Sequence, residues 1–182
     1  HSIIEDKEHN FWLGLFQKGV VFISSAPNRF DYWGLKQNIN NPIGVGSVIS
    51  ICKDREGVAW IGVDNEGLYG VDQKGQGVAH FKQTASPSSV SNIILSVFED
   101  RNGNLWLGSF TSGLCRMNKQ TGECLYIPQL KGKPVFFITE DNLGNLLVAT
   151  YGSGFFRFDP QTGKIEQYVS SKKENDDYHI NE

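Results

Sequence analysis

A ten-residue segment recurs four times along the chain, and this repeat limits the fold more than any other feature of the sequence. Its copies are EDKEHNFWLG at 5–14, KDREGVAWIG at 53–62, EDRNGNLWLG at 99–108 and EDNLGNLLVA at 140–149. They align without gaps, and their aspartates stand 48, 46 and 41 residues apart. A period of about 40–45 residues is typical of a β-propeller blade, which is one sheet of four short strands.

Three landmarks keep the same register in every copy of the segment. An aspartate opens it at Asp6, Asp54, Asp100 and Asp141. A large apolar residue follows at Trp12, Trp60, Trp106 and, in the fourth copy, Leu147. A glycine closes the pattern at Gly19, Gly67, Gly113 and Gly154. We interpret the aspartates as turn residues that accept backbone N–H bonds, and the tryptophans as packing residues between sheets.

Each copy has the spacing of four short strands, which we name A to D. In the third copy, strand A is NIILSVFED, strand B is NLWLGS, strand C is LCRMN and strand D is ECLYIP, with glycine in the turns between them. The chain holds 20 glycines and 12% aromatic residues, without sustained helical periodicity. The sequence therefore predicts an all-β fold: a β-propeller fragment of about four blades, each a four-stranded antiparallel sheet.

Glycine also follows two positions after each tryptophan. Gly14, Gly62 and Gly108 occupy this place, and Ala149 replaces them in the fourth copy. Glycine inside a strand often marks a close approach of another backbone. We therefore expect a neighbouring strand or blade to lie too close there for a side chain.

The predicted fold is a single partial propeller over residues 1–182. We place its repeats at about 1–33, 46–83, 92–130 and 134–169, and we expect residues 170–182 to begin a further blade. The sequence starts inside one strand A pattern and stops near the start of another, which favours an excerpt from a longer array. Because a four-stranded sheet exposes two apolar faces, the outer blades need partners, either missing blades or a second copy in a homodimer.

The segment EDRNGNLWLG, together with RFDPQTGKIEQY at 157–168, resembles the two-component regulator propeller repeat. The resemblance covers essentially the whole chain and departs from the pattern at His9, Leu147 and Ala149. It implies the periplasmic sensor region of a hybrid two-component system histidine kinase, especially those of gut Bacteroides that regulate polysaccharide use. Such regions usually carry two seven-bladed propellers, so four blades imply an incomplete propeller.

The resemblance also implies what lies outside this sequence. In the family, the propellers are followed by an immunoglobulin-like domain, a membrane helix, a histidine kinase, a receiver and a DNA-binding module. Kinase activity, phosphorelay and control of transcription would belong to those parts. The resemblance therefore implies a sensing fragment without enzymatic activity of its own.

Charge and hydropathy limit the partners of the fragment. The net charge is −3 and there is no basic stretch, so we expect no nucleic acid and no anionic membrane surface as partner. The sequence contains no apolar run of the roughly 18–20 residues that a membrane span needs. The resemblance implies an oligosaccharide or another small ligand as partner, together with other blades.

The loops between strands B and C, with those between strands D and A, predict where a ligand would bind. An aligned position in the B–C loops carries Phe16, Asp64, Phe110 and Tyr151, and polar residues follow at Gln17, Asn65 and Thr111. Aromatic rings with polar neighbours can stack on sugar rings and bind hydroxyl groups, and Trp33 of a D–A connection is a further candidate. The alternative is that these rings cover the blade or contact a neighbouring blade.

We therefore rank three candidate functions. The first is a noncatalytic sensor that binds an oligosaccharide, and the second is a structural or dimerisation scaffold. The third is a propeller glycosidase or lyase, for which no repeated acid–base pair is present. We expect no catalytic residue and no cofactor.

Asp100, Asn102 and Asn104 have the alternate oxygen atoms of a calcium loop. However, Gly103 comes too early for such a loop and the bidentate glutamate is missing, so a turn explains the pattern better and we expect no metal. The chain has three cysteines, which we expect to be free thiols. A bridge between Cys115 and Cys124 stays open, because both fall on neighbouring strands of one predicted hairpin.

Overall fold

Nearly all regular structure in the described part of the chain is β-strand, in four antiparallel sheets of four strands each. A computed structural model describes residues 2–15, 17–25, 30–33 and 41–168, with residues 30–33 described by their backbone only. Within these ranges the only helical element is a short 3-10 helix at Pro128–Leu130. The all-β fold class is confirmed.

The strands of each sheet follow one another in the chain. Sheet 1 contains β1 (Ser2–Glu5), β2 (Phe11–Leu15), β3 (Gly19–Ile23) and β4 (Phe30–Trp33). Sheet 2 contains β5 (Val48–Lys53), β6 (Ala59–Val63), β7 (Gly67–Val71) and β8 (Gly77–Phe81). Sheet 3 contains β9 (Ile94–Glu99), β10 (Leu105–Ser109), β11 (Leu114–Met117) and β12 (Cys124–Tyr126). Sheet 4 contains β13 (Val135–Glu140), β14 (Leu146–Thr150), β15 (Phe155–Phe158) and β16 (Ile165–Tyr168).

The turn between strands A and B repeats in all four sheets. In sheet 3 the N–H of Gly103 donates to the Asp100 carbonyl at 3.0 Å, and the N–H of Asp100 donates to the Asn104 carbonyl at 3.0 Å. Gly103 has a φ of 82°, and His9 takes the same place in sheet 1 with a φ of 61°. A left-handed backbone is therefore kept in sheet 1 without glycine, which is an uncommon arrangement for a bulky side chain.

The sheets pack face to face, and the tryptophan-bearing face of each sheet covers the opposite face of the next. Trp12 packs in a buried cluster with Ile61 and Val63 of sheet 2. Trp60 packs with Leu105 and Leu107 of sheet 3. A third cluster joins Trp106 and Leu114 of sheet 3 to Leu146, Val148 and Phe156 of sheet 4. Three seams of buried rings thus hold the four sheets together, as face-to-face stacking of blades requires.

Glycine lies opposite serine at all three seams, and at two of them the serine hydroxyl bonds to the next sheet. Gly108 lies opposite Ser96, whose hydroxyl donates to the Val135 carbonyl of sheet 4 at 3.1 Å. A Cβ added to Gly108 would lie 2.6 Å from that carbonyl oxygen. Gly62 and Ser50 repeat the arrangement one seam earlier, where the serine hydroxyl donates to the Ile94 carbonyl at 3.2 Å. The close approach expected from the glycines is present at both seams.

The three cysteines are free thiols, as the sequence predicted. Cys115 and Cys124 lie on adjacent strands, but Cys115 faces Tyr126 while Cys124 faces Met117. Diagonal neighbours of this kind stand about 7–8 Å apart, which is farther than the usual Cα separation in a disulfide. The register therefore places the two residues diagonally, although a hydrogen bond joins their thiols.

The predicted further blade at 170–182 lies outside the described residues. So does Phe16, and the side chain of Trp33 is not described.

Candidate functional site

One end of the sheets carries the A–B turns, and the aspartate of each turn accepts hydrogen bonds from the protein. In sheet 3, one oxygen of Asp100 accepts the N–H groups of Asn102 and Asn104 at 2.9 Å each. The other oxygen accepts the indole N–H of Trp106 at 2.8 Å. The same indole bond joins Trp60 to Asp54, at 2.8 Å. These oxygens accept N–H donors, which explains the recurring aspartate without a metal.

Hydrogen bonding decides the ionisation of these carboxylates. Burial of Asp100 raises its pKa, but hydrogen bonds from Trp106, Asn104 and backbone N–H groups outweigh burial and hold the pKa below its ordinary value. At Asp54, burial is likewise outweighed, chiefly by the hydrogen bond from Lys119, and the pKa is again lowered. Both aspartates are therefore anions at neutral pH. Within the described ranges no cluster of three or more His, Cys, Asp or Glu side chains is arranged to hold a metal ion.

Ion pairs on this end link neighbouring sheets. The Lys119 ammonium lies 2.8 Å from an Asp54 oxygen of sheet 2 and 2.8 Å from a Glu99 oxygen of sheet 3. Arg101 pairs with Glu140 of sheet 4 at 2.8 Å, and its backbone N–H donates to the same carboxylate at 2.9 Å. The charged side chains of this end thus stabilise the contact between sheets.

A recess of about 640 Å³ opens on the same end, between the first three sheets. Lys53 and Arg55 line it, and both cations are paired, Lys53 with Asp6 and Arg55 with Glu99. Burial raises the pKa of the Cys52 thiol in its wall to about 11, so the thiol is protonated at neutral pH. The recess therefore presents neither a reactive thiolate nor an unpaired cation from these residues.

The opposite end carries the B–C loops, and one backbone bond fixes them in three sheets. The N–H of Asp64 donates to the Ser47 carbonyl at 2.8 Å. Phe110 donates to Ile93 at 3.1 Å, and Tyr151 donates to Pro134 at 2.9 Å. Each bond ties the middle of a B–C loop to the segment that enters strand A of the same sheet. It places Asp64, Phe110 and Tyr151 at equivalent positions, as their alignment in the sequence predicts.

The side chains of these loops are open to solvent. Phe110 is 48% exposed and Tyr151 is 76% exposed. Asn65, Thr111 and Gln17 are exposed as well, and Asn65 and Gln17 have left-handed φ angles of 58° and 54°. Among the described residues, the side chains of Asn65 and Thr111 and the hydroxyl of Tyr151 have no hydrogen-bond partner. This end therefore combines exposed rings with polar groups that are free to bind.

Sequence reasoning missed one aromatic residue at this end. Phe136 of β13 is 51% exposed, and its ring centroid lies 6.2 Å from that of Tyr151. The only signal in the sequence was the doubled phenylalanine at 136–137, where the second and third copies have an aliphatic residue and a serine. Trp33 ends β4 opposite Val20, which places its backbone at the same end as the B–C loops.

Comparisons with known proteins agree with this architecture. Residues 88–111 match the family described as "Two component regulator propeller". The sequence matches no curated protein. The extracellular domain of a hybrid two component system from B. thetaiotaomicron is similar in structure, with a TM-score of 0.59 and 20% identity over 96% of this chain and 29% of that chain.

Two further solved structures show the same fold. The extracellular domain of a one component system from B. thetaiotaomicron has a TM-score of 0.69 and 21% identity, over 92% of this chain and 24% of that one. Virginiamycin B lyase from Staphylococcus aureus with quinupristin has a TM-score of 0.70 and 15% identity, over 93% of this chain and 55% of that one. At these identities the likeness extends to the fold alone.

The chain spans less than two thirds of the length of each of these structures. Its described residues contain no helix long and apolar enough to cross a membrane. The sheets, the A–B turns and the family match describe one repeating unit. Residues 88–111 thus resemble a two-component regulator propeller repeat, and they lie within four sheets that have the fold of part of a propeller.

Proposed function

We propose that this chain is part of the periplasmic sensor region of a hybrid two-component system, and that it binds an oligosaccharide at the end that carries the B–C loops. The observation that carries the proposal is a contrast between the two ends of the sheets. The A–B end uses Asp54, Lys119 and Arg101 to join sheets. The B–C end holds exposed Phe110 and Tyr151 on fixed loops beside unpaired polar groups.

This combination suits a sugar. The faces of aromatic rings pack against the C–H groups of a pyranose, and amide or hydroxyl side chains bind its hydroxyl groups. Asn65, Thr111 and the Tyr151 hydroxyl would supply those polar contacts. Binding can transmit a signal only if the sugar has different affinities for two arrangements of the sensor. The phosphorelay that follows would belong to other parts of such a protein.

Isothermal titration with a panel of neutral oligosaccharides of glucose, mannose, galactose, xylose and arabinose tests the proposal. We expect at least one to bind, and Phe110→Ala and Tyr151→Ala to weaken that binding about three- to tenfold, as the loss of a stacked ring does. Phe16→Ala belongs to the same series because Phe16 shares the aligned position. Val78→Ala is the control, since Val78 is exposed on the fourth strand of sheet 2. If the Phe110→Ala and Tyr151→Ala variants are folded and bind the oligosaccharide with unchanged affinity, the B–C end is not the binding site.

A scaffold role is the second candidate, and an exposed apolar surface favours it. Phe137 and Phe155 flank Ala149 on the face of sheet 4 that points away from sheet 3, and both rings are exposed. Such a surface suits another sheet or a second copy of the chain. Light scattering on the purified chain distinguishes the two roles. A scaffold interface gives a dimer, and Phe137→Ser makes the chain monomeric.

A further inference from the structure

A β-bulge recurs at the start of strand A in three sheets, and each bulge leaves one apolar residue unpaired. In sheet 4, Val135 pairs with Thr150 and Phe137 pairs with Ala149, so Phe136 has no partner on β14. Leu95 of sheet 3 is skipped in the same way, and so is Ile49 of sheet 2. A bulge turns the side chain of its extra residue away from the direction that regular pairing would give it.

The bulge of sheet 4 lies directly beside its B–C loop. The N–H of Tyr151 donates to the Pro134 carbonyl at 2.9 Å, and Thr150 pairs with Val135. Phe136 therefore follows the anchored segment by two residues. Its ring centroid stands 6.2 Å from that of Tyr151, with 50° between the ring planes. The bulge thus brings a strand residue and a loop residue together as a pair.

Phe136 differs from its counterparts in both size and exposure. Leu95 and Ile49 are half-buried aliphatic side chains, whereas Phe136 is an aromatic ring that is 51% exposed. An aliphatic residue at this place is enough to serve the fold in sheets 2 and 3. The aromatic ring in sheet 4 adds a flat surface next to Tyr151 that the fold itself does not need.

The space around the pair is open. Gly152 follows Tyr151 with a φ of 76°, and a Cβ built on it would meet nothing within 4 Å. The Tyr151 hydroxyl has no partner in the part of the chain that the structure describes. Two tilted rings with an open side and a free hydroxyl can hold one pyranose: the sugar packs its C–H face on one ring and its edge against the other, and a sugar hydroxyl bonds to Tyr151.

We propose that Phe136 and Tyr151 together form the subsite that holds one sugar ring, which rests on the proposed function of the B–C end. Phe136 is then a binding residue that sheets 2 and 3 lack, because they carry Ile49 and Leu95 at this place. Phe110 contacts a different part of the same oligosaccharide, because it belongs to the equivalent loop of sheet 3.

Isothermal titration with the oligosaccharide of the panel that binds most tightly tests this subsite. Phe136→Leu restores the aliphatic residue of sheet 3 and leaves the bulge intact. We expect it to weaken binding about three- to tenfold. Tyr151→Phe keeps the ring and removes the hydroxyl, and we expect a loss of about three- to tenfold from the missing hydrogen bond. Phe155→Leu is the matched control, since Phe155 is exposed on sheet 4 and stacks on Tyr168.

The outcomes separate this subsite from the wider proposal. If no oligosaccharide of the panel binds the wild-type chain, both are overturned. If wild-type binding is weakened by Phe110→Ala but not by Phe136→Leu or Tyr151→Phe, the sensor proposal stands and the subsite is wrong. Thermal unfolding of each variant verifies that it is folded, and a Phe155→Leu effect equal to that of Phe136→Leu also overturns the subsite.

Discussion

Arg157 donates to Asp141 the hydrogen bond that a tryptophan donates in each of the other three sheets. Its Nε lies 3.0 Å and its Nη2 2.9 Å from Oδ2 of the carboxylate. Leu147 stands at the tryptophan position, and Arg157 lies directly opposite it on the next strand. The donor therefore comes from strand C instead of strand B, and the turn keeps its geometry although its most recognisable residue is absent.

The indole bond to the turn aspartate predicts the effect of Trp106→Phe. This substitution keeps a large ring in the seam but removes the N–H donor from Asp100, which is 2% exposed. The same oxygen keeps the Asn104 amide as a donor at 2.8 Å, so the loss is that of one hydrogen bond to a charged group, about 1.5–3 kcal/mol. We expect a loss of this size in the free energy of unfolding by urea. Arg157→Leu should cost less, because Asp141 is more exposed and water can replace the donor; equal losses would contradict this reason.

The lowered pKa values of the turn aspartates predict acid sensitivity. Hydrogen bonds place the folded-state pKa of Asp54 and Asp100 below the unfolded value of about 3.9. Their contribution is therefore complete above the unfolded pKa and is lost as the pH falls through the folded pKa. We expect the free energy of unfolding to fall progressively below about pH 5. Asp100→Asn should make this dependence shallower, and an identical slope in the variant would refute the assignment.

The glycine at the third seam predicts a strong effect of Gly108→Ala. Its new Cβ would lie 2.6 Å from the Val135 carbonyl oxygen and would overlap with the Ser96 hydroxyl. Overpacking of this kind costs about 1–3 kcal/mol, which urea unfolding will measure. The reverse change, Ala149→Gly, is the matched control. We expect Ala149→Gly to reduce the free energy of unfolding less, because no described strand approaches Ala149 from the outer side of sheet 4. A Gly108→Ala variant as stable as the wild-type chain would contradict the close approach at this seam.

The position of Lys119 between two carboxylates predicts the effect of Lys119→Met. Asp54 and Glu99 would both lose an ion pair, and both carboxylates are largely buried. We expect a loss of about 1–3 kcal/mol in the free energy of unfolding. Lys164→Met removes an ion pair with Glu166 that is open to solvent. We expect this variant to keep the free energy of unfolding of the wild-type chain. Equal effects would show that burial does not decide the strength of these pairs.

The sequence predicted the repeating parts of the fold because they follow from local rules. Alternating apolar residues around Trp60 and Trp106 defined the strands, and the turn chemistry of Asp100 and Gly103 defined the hairpin. Even the exception at His9 falls on the same left-handed position as the glycine that it replaces.

Features that depend on strand register could not be predicted from the sequence. The bulge that exposes Phe136 and the compensation by Arg157 require knowledge of which residues face each other across strands. The diagonal placement of Cys115 and Cys124 has the same origin. For the candidate site, the sequence identified the B–C loops but not the strand residue beside them, because bulged and regular pairing leave the same one-dimensional pattern.

The serine–glycine pairs make some interfaces between sheets more resistant to sliding than others. Ser50 and Ser96 each fasten a seam with a directional bond to the next strand A, so sliding along that seam would break a buried hydrogen bond. Phe137 and Ala149 stand in those places on sheet 4, and their methyl and phenyl groups offer only contacts that can slip. We therefore expect a sheet that packs on the outer face of sheet 4 to be held less rigidly than the sheets that Ser50 and Ser96 join.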